Sequence, residues 1–268
     1  MKVFKQKISL LMPAHNEGVH LYENLVETVK VFDKYKREYE IILINDGSDD
    51  NTSQEALRAE AKLPRVEFIN IEKNVGKGDA IREGFATATG DYVVFLDSDL
   101  DLHPSQLWDL FKEMRNRKAD VIIGSKRHRS SNIHYPFARK VISHVYAAVL
   151  GILFGLPLTD TQAGLKIFRR EVLANVLPKI LCKRYAFDVE ILANAHHVGY
   201  KIVEYPVVVS WRRRTTWGRI GLRDMYQTGI DTLAIFYRMH ILRYYDRVEV
   251  SAVNRHDSLK LTDKANKT

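Results

Sequence analysis

Three aspartates that follow a strand-forming stretch are the residues best suited to chemistry in this chain. The apolar run from Tyr92 to Leu96 predicts a buried, parallel strand, and Asp97, Asp99 and Asp101 come directly after it. Ligands bind at the carboxyl edge of such sheets. Carboxylates this close together repel one another, and a hard divalent cation such as Mg²⁺ or Mn²⁺ would relieve the repulsion. The alternative is a solvated acidic turn that caps the next helix.

The first half of the chain alternates between strand and helix patterns. Apolar runs predict strands at 8–12, 41–44, 66–71, 92–96 and 121–124, and helical spacing or capping residues predict a helix after each of the first four. This alternation predicts an α/β fold with a mostly parallel sheet and helices on both faces. Polar residues lie at or beyond the predicted carboxyl ends of all five strands, among them His15, Glu17, Asp46, Lys77, Asp97, Asp99 and Arg127.

The second half of the chain has a different pattern, with helices predicted at 138–156, 187–197 and 220–245. Strands are predicted at 164–168 and 201–209. The helices at 138–156 and 220–245 combine apolar residues with Arg or Lys, which is typical of amphipathic helices that lie in a membrane interface. The alternative for the first is a buried core helix. The alternatives for the second are a helix packed on the catalytic domain and a dimer contact.

Composition narrows the classes of protein. The 268 residues carry a net charge of +8, which indicates an anionic partner such as nucleotide phosphates or an acidic membrane surface. Cys182 is the only cysteine, so an internal disulfide is excluded. The start resembles no signal peptide, and we expect a cytoplasmic protein that binds peripherally to the cytoplasmic face of a membrane. A nucleic-acid-binding module is supported by the high charge alone and is not expected. The sequence does not predict an oligomeric state.

Four motifs in order resemble the GT-A glycosyltransferases of family 2. They are PAHNE at 13–17, INDGSDDNT at 44–52, NVGKGDAI at 74–81 and LDSDLDLHP at 96–104. The resemblance covers about Ile8 to Trp211. The segments DTQAGLKIF at 160–168 and RYAFDVE at 184–190 are most similar to enzymes that glycosylate polyprenyl phosphates, first the dolichyl-phosphate β-glucosyltransferases and then the mannose synthases.

The resemblance implies a domain plan and an activity. Residues 1–211 would be a Rossmann-like GT-A catalytic domain, with nucleotide-sugar binding in 1–130 and acceptor binding in 131–211. Residues 212–250 would form a basic amphipathic helical extension, and 251–268 a disordered tail. The implied enzyme is metal-dependent and inverting, and it transfers a hexose, with UDP-glucose favoured as donor, to a dolichyl or other polyprenyl phosphate. The alternatives are a mannose synthase that uses GDP-mannose and a family 2 enzyme with a non-lipid acceptor.

The resemblance also implies roles for individual residues. Asp97 and Asp99 would hold Mg²⁺ or Mn²⁺ against the diphosphate. Asp101 would be a third ligand or, alternatively, a cap for the helix at Pro104. Asp46 would bind the base or ribose, the alternative being a turn residue. The predicted nucleotide-sugar-binding residues are Pro13, His15, Glu17, Asp46, Gly76, Lys77, Asp97 and Ser98.

The acceptor decides whether a base is needed. A sugar hydroxyl needs a general base, whereas a lipid monophosphate is already anionic at neutral pH. The predicted phosphate-binding residues are Arg127, Arg129, Arg213, Arg214 and Arg219. The predicted catalytic residues are Asp99, Arg127, Asp188 and Glu190. Asp188 and Glu190 would orient the acceptor or act as base, or else form structural pairs with a nearby arginine.

Overall fold

A mixed β-sheet carries the candidate functional residues. The computed structural model describes residues 6–127, 137–210 and 221–248. In these residues the strands are β1 (Ile8–Ala14), β2 (Tyr39–Asp46), β3 (Val66–Ile71), β4 (Tyr92–Leu96), β5 (Val121–Ser125), β6 (Leu165–Arg169) and β7 (Ile202–Pro206). Their order across the sheet is β3-β2-β1-β4-β6-β5-β7. Only β6 runs antiparallel to its neighbours within this described sheet. The carboxyl ends of the other strands and the start of β6 therefore lie at one edge.

Helices pack on both faces of the sheet. They are α1 (Leu21–Lys34), α2 (Thr52–Lys62), α3 (Lys77–Thr87), α4 (Leu107–Asn116), α5 (Phe137–Phe154), α6 (Arg170–Val176), α7 (Phe187–His197), α8 (Leu222–Phe236) and α9 (Tyr244–Arg247). Short 3₁₀ turns lie at Pro104–Gln106 and Leu177–Lys179, and a π-helical turn lies at Tyr237–Ile241.

The core has two halves because successive strand residues point to opposite faces of the sheet. Leu10 and Ile41 pack with α1, α2 and α4 on one face. Leu11 and Ile42 pack with α3, α5, α6 and α7 on the other face, together with buried residues of α8. This arrangement confirms the predicted α/β fold with a mostly parallel sheet and helices on both faces.

The C-terminal region differs from its prediction as one helix over 220–245. Instead α8 runs into the π-helical turn, Arg243 then adopts a left-handed backbone conformation with φ of 48°, and α9 follows. The region also packs on the sheet and its helices, since Ile235, Met239 and Tyr245 are buried in the core. For 220–245 the sequence left two alternatives to a membrane helix, packing on the catalytic domain and a dimer contact. The inner face of this region shows the first of them.

The outward side of α5 and α8 is also apolar. The two helices lie side by side, because Tyr146 bonds to Thr232 and the Phe154 ring packs on that of Phe236. We define the apolar outer face as a group of exposed apolar residues on these helices and the π-helical turn: Val145, Val149, Ile152, Tyr226, Ile230, Leu233, Tyr237 and Ile241. The helix α8 therefore has apolar residues on its buried inner side and on its exposed outer side. None of the helices in the described ranges has the length and apolar character to cross a membrane.

Candidate active site

The turn after β4 fixes the position of the two aspartates predicted to hold the metal. Directly after the strand the chain reverses, and the backbone N–H of Leu100 donates to the carbonyl of Asp97 at 3.2 Å. Leu100 is fully buried and has φ of 52°, a conformation that is unfavourable for a bulky side chain. The backbone N–H of Asp101 donates to Asp99 Oδ1 at 3.1 Å. Burial of Leu100 therefore stabilises a strained turn that presents Asp97 and Asp99 at the strand tip.

Neighbouring elements hold this turn in place. Ser98 Oγ donates to the carbonyl of Pro13 at 3.1 Å, and Asn24 of α1 donates to the carbonyl of Ser98 at 2.8 Å. Glu17 is buried, and its backbone N–H donates to Thr52 Oγ1 at 2.9 Å. Pro13, Glu17 and Ser98, predicted to bind the nucleotide sugar, therefore lie at the expected edge. Their observed bonds join β1, α2 and the turn.

A lysine pairs with the first aspartate. Lys77, the first residue of α3, places its Nζ 2.7 Å from Asp97 Oδ1. Burial would raise the pKa of Asp97, but Lys77 opposes burial and brings the pKa down to about 2, with help from Lys126 and Lys166. The Asp97 side chain is still 44% exposed, so a ligand can reach it. The carboxylate is therefore ionised and accessible at neutral pH.

Two lysines that the sequence interpretation missed complete the charge around Asp97. Lys166 is buried in β6 and donates to Asp188 Oδ1 at 2.7 Å and to the carbonyl of Ala163 at 2.6 Å. Burial lowers the pKa of Lys166, and Asp188 partly opposes that effect. Lys126 follows β5. A lysine inside an apolar strand was a signal in the sequence, because such a buried charge needs a partner.

Asp46, a predicted nucleotide-binding residue, organises the loop that follows β3. Its carboxylate accepts hydrogen bonds from the backbone N–H of Val75 at 2.7 Å and of Gly76 at 3.0 Å. His15 Nδ1 lies 2.8 Å from the carbonyl of Asp46 and 3.3 Å from Asn74 Nδ2. Both His15 and Asn74 are exposed. Asp46 therefore fixes the conformation of this loop, and its direct contact with a nucleotide stays a prediction.

The segment 74–77 links Asp46 to the acidic turn after β4. Gly76 bonds to Asp46 at the end of β2, and the adjacent Lys77 bonds to Asp97 at the end of β4. Gly76 has φ of 95°, which a residue without a side chain adopts at no steric cost. The structure thus brings Asp46, Lys77 and Asp97 together at one edge of the sheet, as the sequence predicted.

Arg127 also lies at this edge, two residues beyond β5. Its guanidinium donates to the carbonyls of Ser143 at 3.3 Å and Thr159 at 3.2 Å, so it ties α5 to the chain before β6. The preceding backbone N–H, of Lys126, donates to Asp160 Oδ2 at 3.0 Å. Contact of Arg127 with an acceptor phosphate stays a prediction.

The two predicted acidic catalytic residues of α7 have different surroundings. Asp188 pairs with buried Lys166 beside Asp97 and therefore belongs to the site. Glu190 is fully buried, and its carboxylate is bonded to Arg238 at 2.8 Å and to the hydroxyl of Tyr245. The structural-pairing alternative describes Glu190, and we remove it from the candidate catalytic residues.

The remaining predicted site residues are not placed with the cluster. Arg129, Arg213, Arg214 and Arg219 lie outside the described residues. Within the described part of the chain, no group of three or more His, Cys, Asp or Glu side chains is arranged to hold a metal ion. The role of Asp101 as a third metal ligand stays a prediction. Two carboxylates, Asp97 and Asp99, still fit Mg²⁺ or Mn²⁺, since such ions take one or two carboxylates together with substrate phosphates.

Comparison with known proteins places the chain in a family. Residues 9–177 match the model of the family described as glycosyl transferase family 2. A dolichyl-phosphate β-glucosyltransferase of Trichomonas vaginalis, ALG5D, is 30% identical over 90% of this chain and 76% of its own length. The dolichyl-phosphate β-glucosyltransferase of Dictyostelium discoideum is 29% identical over 76% of this chain and 66% of its own length.

Solved structures show the same fold. Glucosyl-3-phosphoglycerate synthase from Mycobacterium tuberculosis, in complex with Mn²⁺, UDP-glucose and glycerol 3-phosphate, superposes with a TM-score of 0.62 at 19% identity. The match covers 87% of this chain and 79% of that one. With the motifs assembled at one sheet edge and the family model matched over more than half of the sequence, this chain belongs to glycosyl transferase family 2 and is a glycosyltransferase of GT-A fold.

Proposed function

We propose that this glycosyltransferase transfers glucose from UDP-glucose to a dolichyl or other polyprenyl phosphate, with inversion, and gives a β-linked lipid-phosphate sugar. The observation that carries the proposal is the charge pattern of the site. An ionised and accessible Asp97 lies 2.7 Å from Lys77 and close to Lys126 and Lys166. A site of this kind suits two anionic substrates, a nucleoside diphosphate and a lipid monophosphate.

The donor half of the site comprises Asp97, Asp99 and Lys77. Asp97 and Asp99 would hold Mg²⁺ or Mn²⁺, which supplies Lewis-acid stabilisation of the diphosphate charge when it is bound. Lys77, at the N-terminus of α3, would contact the diphosphate oxygens, since both the ammonium and the helix dipole favour an anion there. His15 and Asn74 are exposed beside Asp46 and would line the nucleoside end of the pocket.

A phosphate acceptor agrees with the state of the candidate bases. A hydroxyl acceptor would need a carboxylate to remove its proton. Asp188 is already in an ion pair with buried Lys166, and Glu190 is held by Arg238 and Tyr245. A lipid phosphate carries its own negative charge and needs orientation by cations. Lys126 and Arg127, at the end of β5, are the described cations best placed to supply it.

The apolar outer face supports peripheral membrane binding as part of the proposal. Ile152 is 84% exposed, Tyr226 71% and Leu233 61%, which is unusual for apolar side chains on neighbouring helices. Arg223, Arg243 and Arg247 are exposed on the same C-terminal segment. Apolar side chains with nearby arginines bind an anionic lipid surface without a membrane-crossing helix, and we place this face against the cytoplasmic leaflet.

A donor panel with a lipid acceptor tests the proposal. Purified protein is incubated with Mg²⁺ or Mn²⁺, a short polyprenyl phosphate and one radiolabelled nucleotide sugar at a time. We expect organic-soluble label with UDP-glucose, its loss with chelator or with Asp99→Ala, and about a tenfold to hundredfold reduction with Arg127→Ala. Arg117→Ala serves as the matched control, because that arginine lies at the opposite edge of the sheet and pairs only with Glu113 among the ion pairs described.

Three outcomes would contradict the proposed donor, metal or acceptor. Label from GDP-mannose alone would identify a mannose synthase. Full activity in the presence of chelator would remove the metal from the reaction. Transfer to a soluble sugar, with none to the lipid phosphate, would exclude the acceptor that we propose and would require Asp188 as base.

A further inference from the structure

The segment before α7 packs on the part of α3 that carries Lys77. We call residues 180–186 the α7 loop. The backbone N–H of Gly78 donates to the carbonyl of Lys183 in this loop at 2.7 Å. A side chain at Gly76 would place its Cβ 2.6 Å from the same carbonyl, and one at Gly78 would clash with Phe187. The α7 loop and the start of α3 therefore fit together without space between them.

Side chains on the catalytic domain bond to the same loop. Arg82 of α3 donates to the carbonyl of Ile180, and Lys183 pairs with Asp79 at 3.0 Å. Gln162, in the segment before β6, donates to the carbonyl of Tyr185 at 3.1 Å. These bonds come from elements that already form the site.

A different set of bonds comes from the C-terminal segment, by which we mean residues 221–248. Glu190 Oε2 accepts the backbone N–H groups of Leu181 at 2.9 Å and Cys182 at 2.6 Å. Its other oxygen, Oε1, accepts from Arg238 at 2.8 Å and from the hydroxyl of Tyr245. Arg238 Nε in turn donates to the Tyr245 oxygen at 3.1 Å. One buried carboxylate thus joins the C-terminal segment to the α7 loop.

The position of the α7 loop depends on Arg238, because Arg238 keeps the buried Glu190 carboxylate in place. Glu190 has no exposed surface, and a buried carboxylate is costly unless it is paired and hydrogen-bonded. Arg238 supplies the balancing charge. Without it, Glu190 would become hydrated or protonated, and the N–H groups of Leu181 and Cys182 would lose their acceptor. The next contact along the chain is that of Lys183 with Gly78, beside Lys77.

We propose that Arg238 and Tyr245 are positioning residues for the nucleotide-sugar site, and that they act through Glu190 on the α7 loop. Both residues lie beyond 9–177, the span that matches the family model. The proposal rests on the proposed function in one respect, the assignment of Lys77 to the donor diphosphate. It gives Arg238 and Tyr245 an indirect role at the donor site and gives the other residues of the C-terminal segment no such role.

Amide hydrogen exchange on the substrate-free protein tests the linkage directly. In Arg238→Gln and Tyr245→Phe we expect exchange at Leu181, Cys182 and Gly78 to become about tenfold faster, because these amides are protected by local closure of the α7 loop. Exchange that stays at the wild-type rate at Gly78 in both variants would overturn the proposal. This readout needs no substrate, so it stands or falls independently of the donor and acceptor that we propose.

Kinetics with UDP-glucose provide the second readout. We expect about a fivefold to tenfold higher KM for UDP-glucose with kcat changed less than about threefold, since the variants disturb the binding site and leave the reacting groups in place. Arg238→Lys, which keeps the charge, should recover part of the wild-type KM. Two results would contradict a positioning role. One is a kcat that falls by as large a factor as KM rises, and the other is a KM in Arg238→Lys that is as high as in Arg238→Gln.

The chain offers a matched control for both readouts. His197 Nε2 lies 2.7 Å from Asp246 Oδ1, so this exposed pair also joins α7 to the C-terminal segment but does not touch Glu190. Asp246→Asn should leave the exchange rate of Gly78 and the KM unchanged. An equal effect of Asp246→Asn would mean that general loosening of the segment, and not the Glu190 junction, controls the loop, and the proposal would fail.

Discussion

Gly164 faces the Asp97 carboxylate so closely that no side chain fits on it. A Cβ at this position would lie 1.9 Å from Asp97 Oδ2, far inside van der Waals contact. Asp97 cannot withdraw freely, since it is bonded to Lys77 and the following turn is strained at Leu100. The glycine is therefore a condition for placing the first aspartate of the site.

Substitution Gly164→Ala should displace Asp97 and inactivate the enzyme. We expect at least about a hundredfold loss of kcat/KM and a decrease of about 1–3 kcal/mol in the free energy of unfolding, as for other overpacked sites. Steady-state kinetics and urea denaturation measure the two effects. Gly229→Ala in α8 is the control, because a Cβ there meets nothing within 4 Å. Wild-type activity in Gly164→Ala would show that Asp97 does not need its observed position.

Only those site residues that directly follow a predicted strand could be identified from the sequence. Asp46, Asp97 and Asp99 follow apolar runs, so a parallel sheet brings them to one edge. Lys166 was missed because its partner, Asp188, comes from another element 22 residues away. For Glu190 the pairing with an arginine was one of the open alternatives, and nothing in the sequence indicated that Arg238, 48 residues away, would be the partner.

At the scale of elements, the sequence predicted the bounds of individual strands and helices better than it predicted how the strands pair. The strands at 66–71 and 92–96 and the helix at 187–197 have the predicted bounds, because apolar periodicity is a local property of the sequence. The antiparallel direction of β6 between β4 and β5 depends on contacts between distant segments. The same holds for the change from α8 to a π-helical turn.

Glu40 joins three elements at the edge of the sheet opposite the site. Its carboxylate accepts bonds from Lys7 at 2.5 Å, from Ser9 at 2.5 Å and from the backbone N–H of Thr89 at 2.6 Å. Burial would raise the pKa of Glu40, but these bonds outweigh burial and bring the pKa below its ordinary value of 4.5. Folding therefore favours the ionised form.

The variant Glu40→Gln should lose stability in a pH-dependent way. Because the folded pKa is the lower one, the stabilisation is fully present above pH 4.5 and decreases as the pH falls through the folded value. We expect Glu40→Gln to lower the free energy of unfolding by about 1–2 kcal/mol at pH 7 and by less near pH 3. Urea denaturation at both pH values measures the difference. A variant as stable as wild type at pH 7 would show that the network contributes nothing.

At the scale of the whole molecule, we assign separate roles to two surfaces of the C-terminal segment. The inner surface packs Ile235 and Met239 into the core and holds Glu190 through Arg238. The outer surface exposes Leu233 and Tyr237 next to α5. If both proposals hold, one helical segment would contact the membrane on its outer side and hold the α7 loop, through Glu190, on its inner side.

The double variant Tyr226→Ser/Leu233→Ser tests the outer surface by itself. These side chains are 71% and 61% exposed, so their replacement removes apolar area without opening the core. We expect at least about a tenfold weaker binding to liposomes that contain anionic lipid, measured by co-sedimentation, since burial of each side chain contributes about 1.5–3 kcal/mol. Activity on a short, water-soluble polyprenyl phosphate should stay within about twofold of wild type, because the catalytic groups are unchanged. Leu57→Ser on α2 is the control, as Leu57 is 55% exposed on the other side of the sheet. If the double variant and wild type sediment equally with liposomes, the apolar outer face does not bind membranes and a partner protein or a second copy of the chain must cover it.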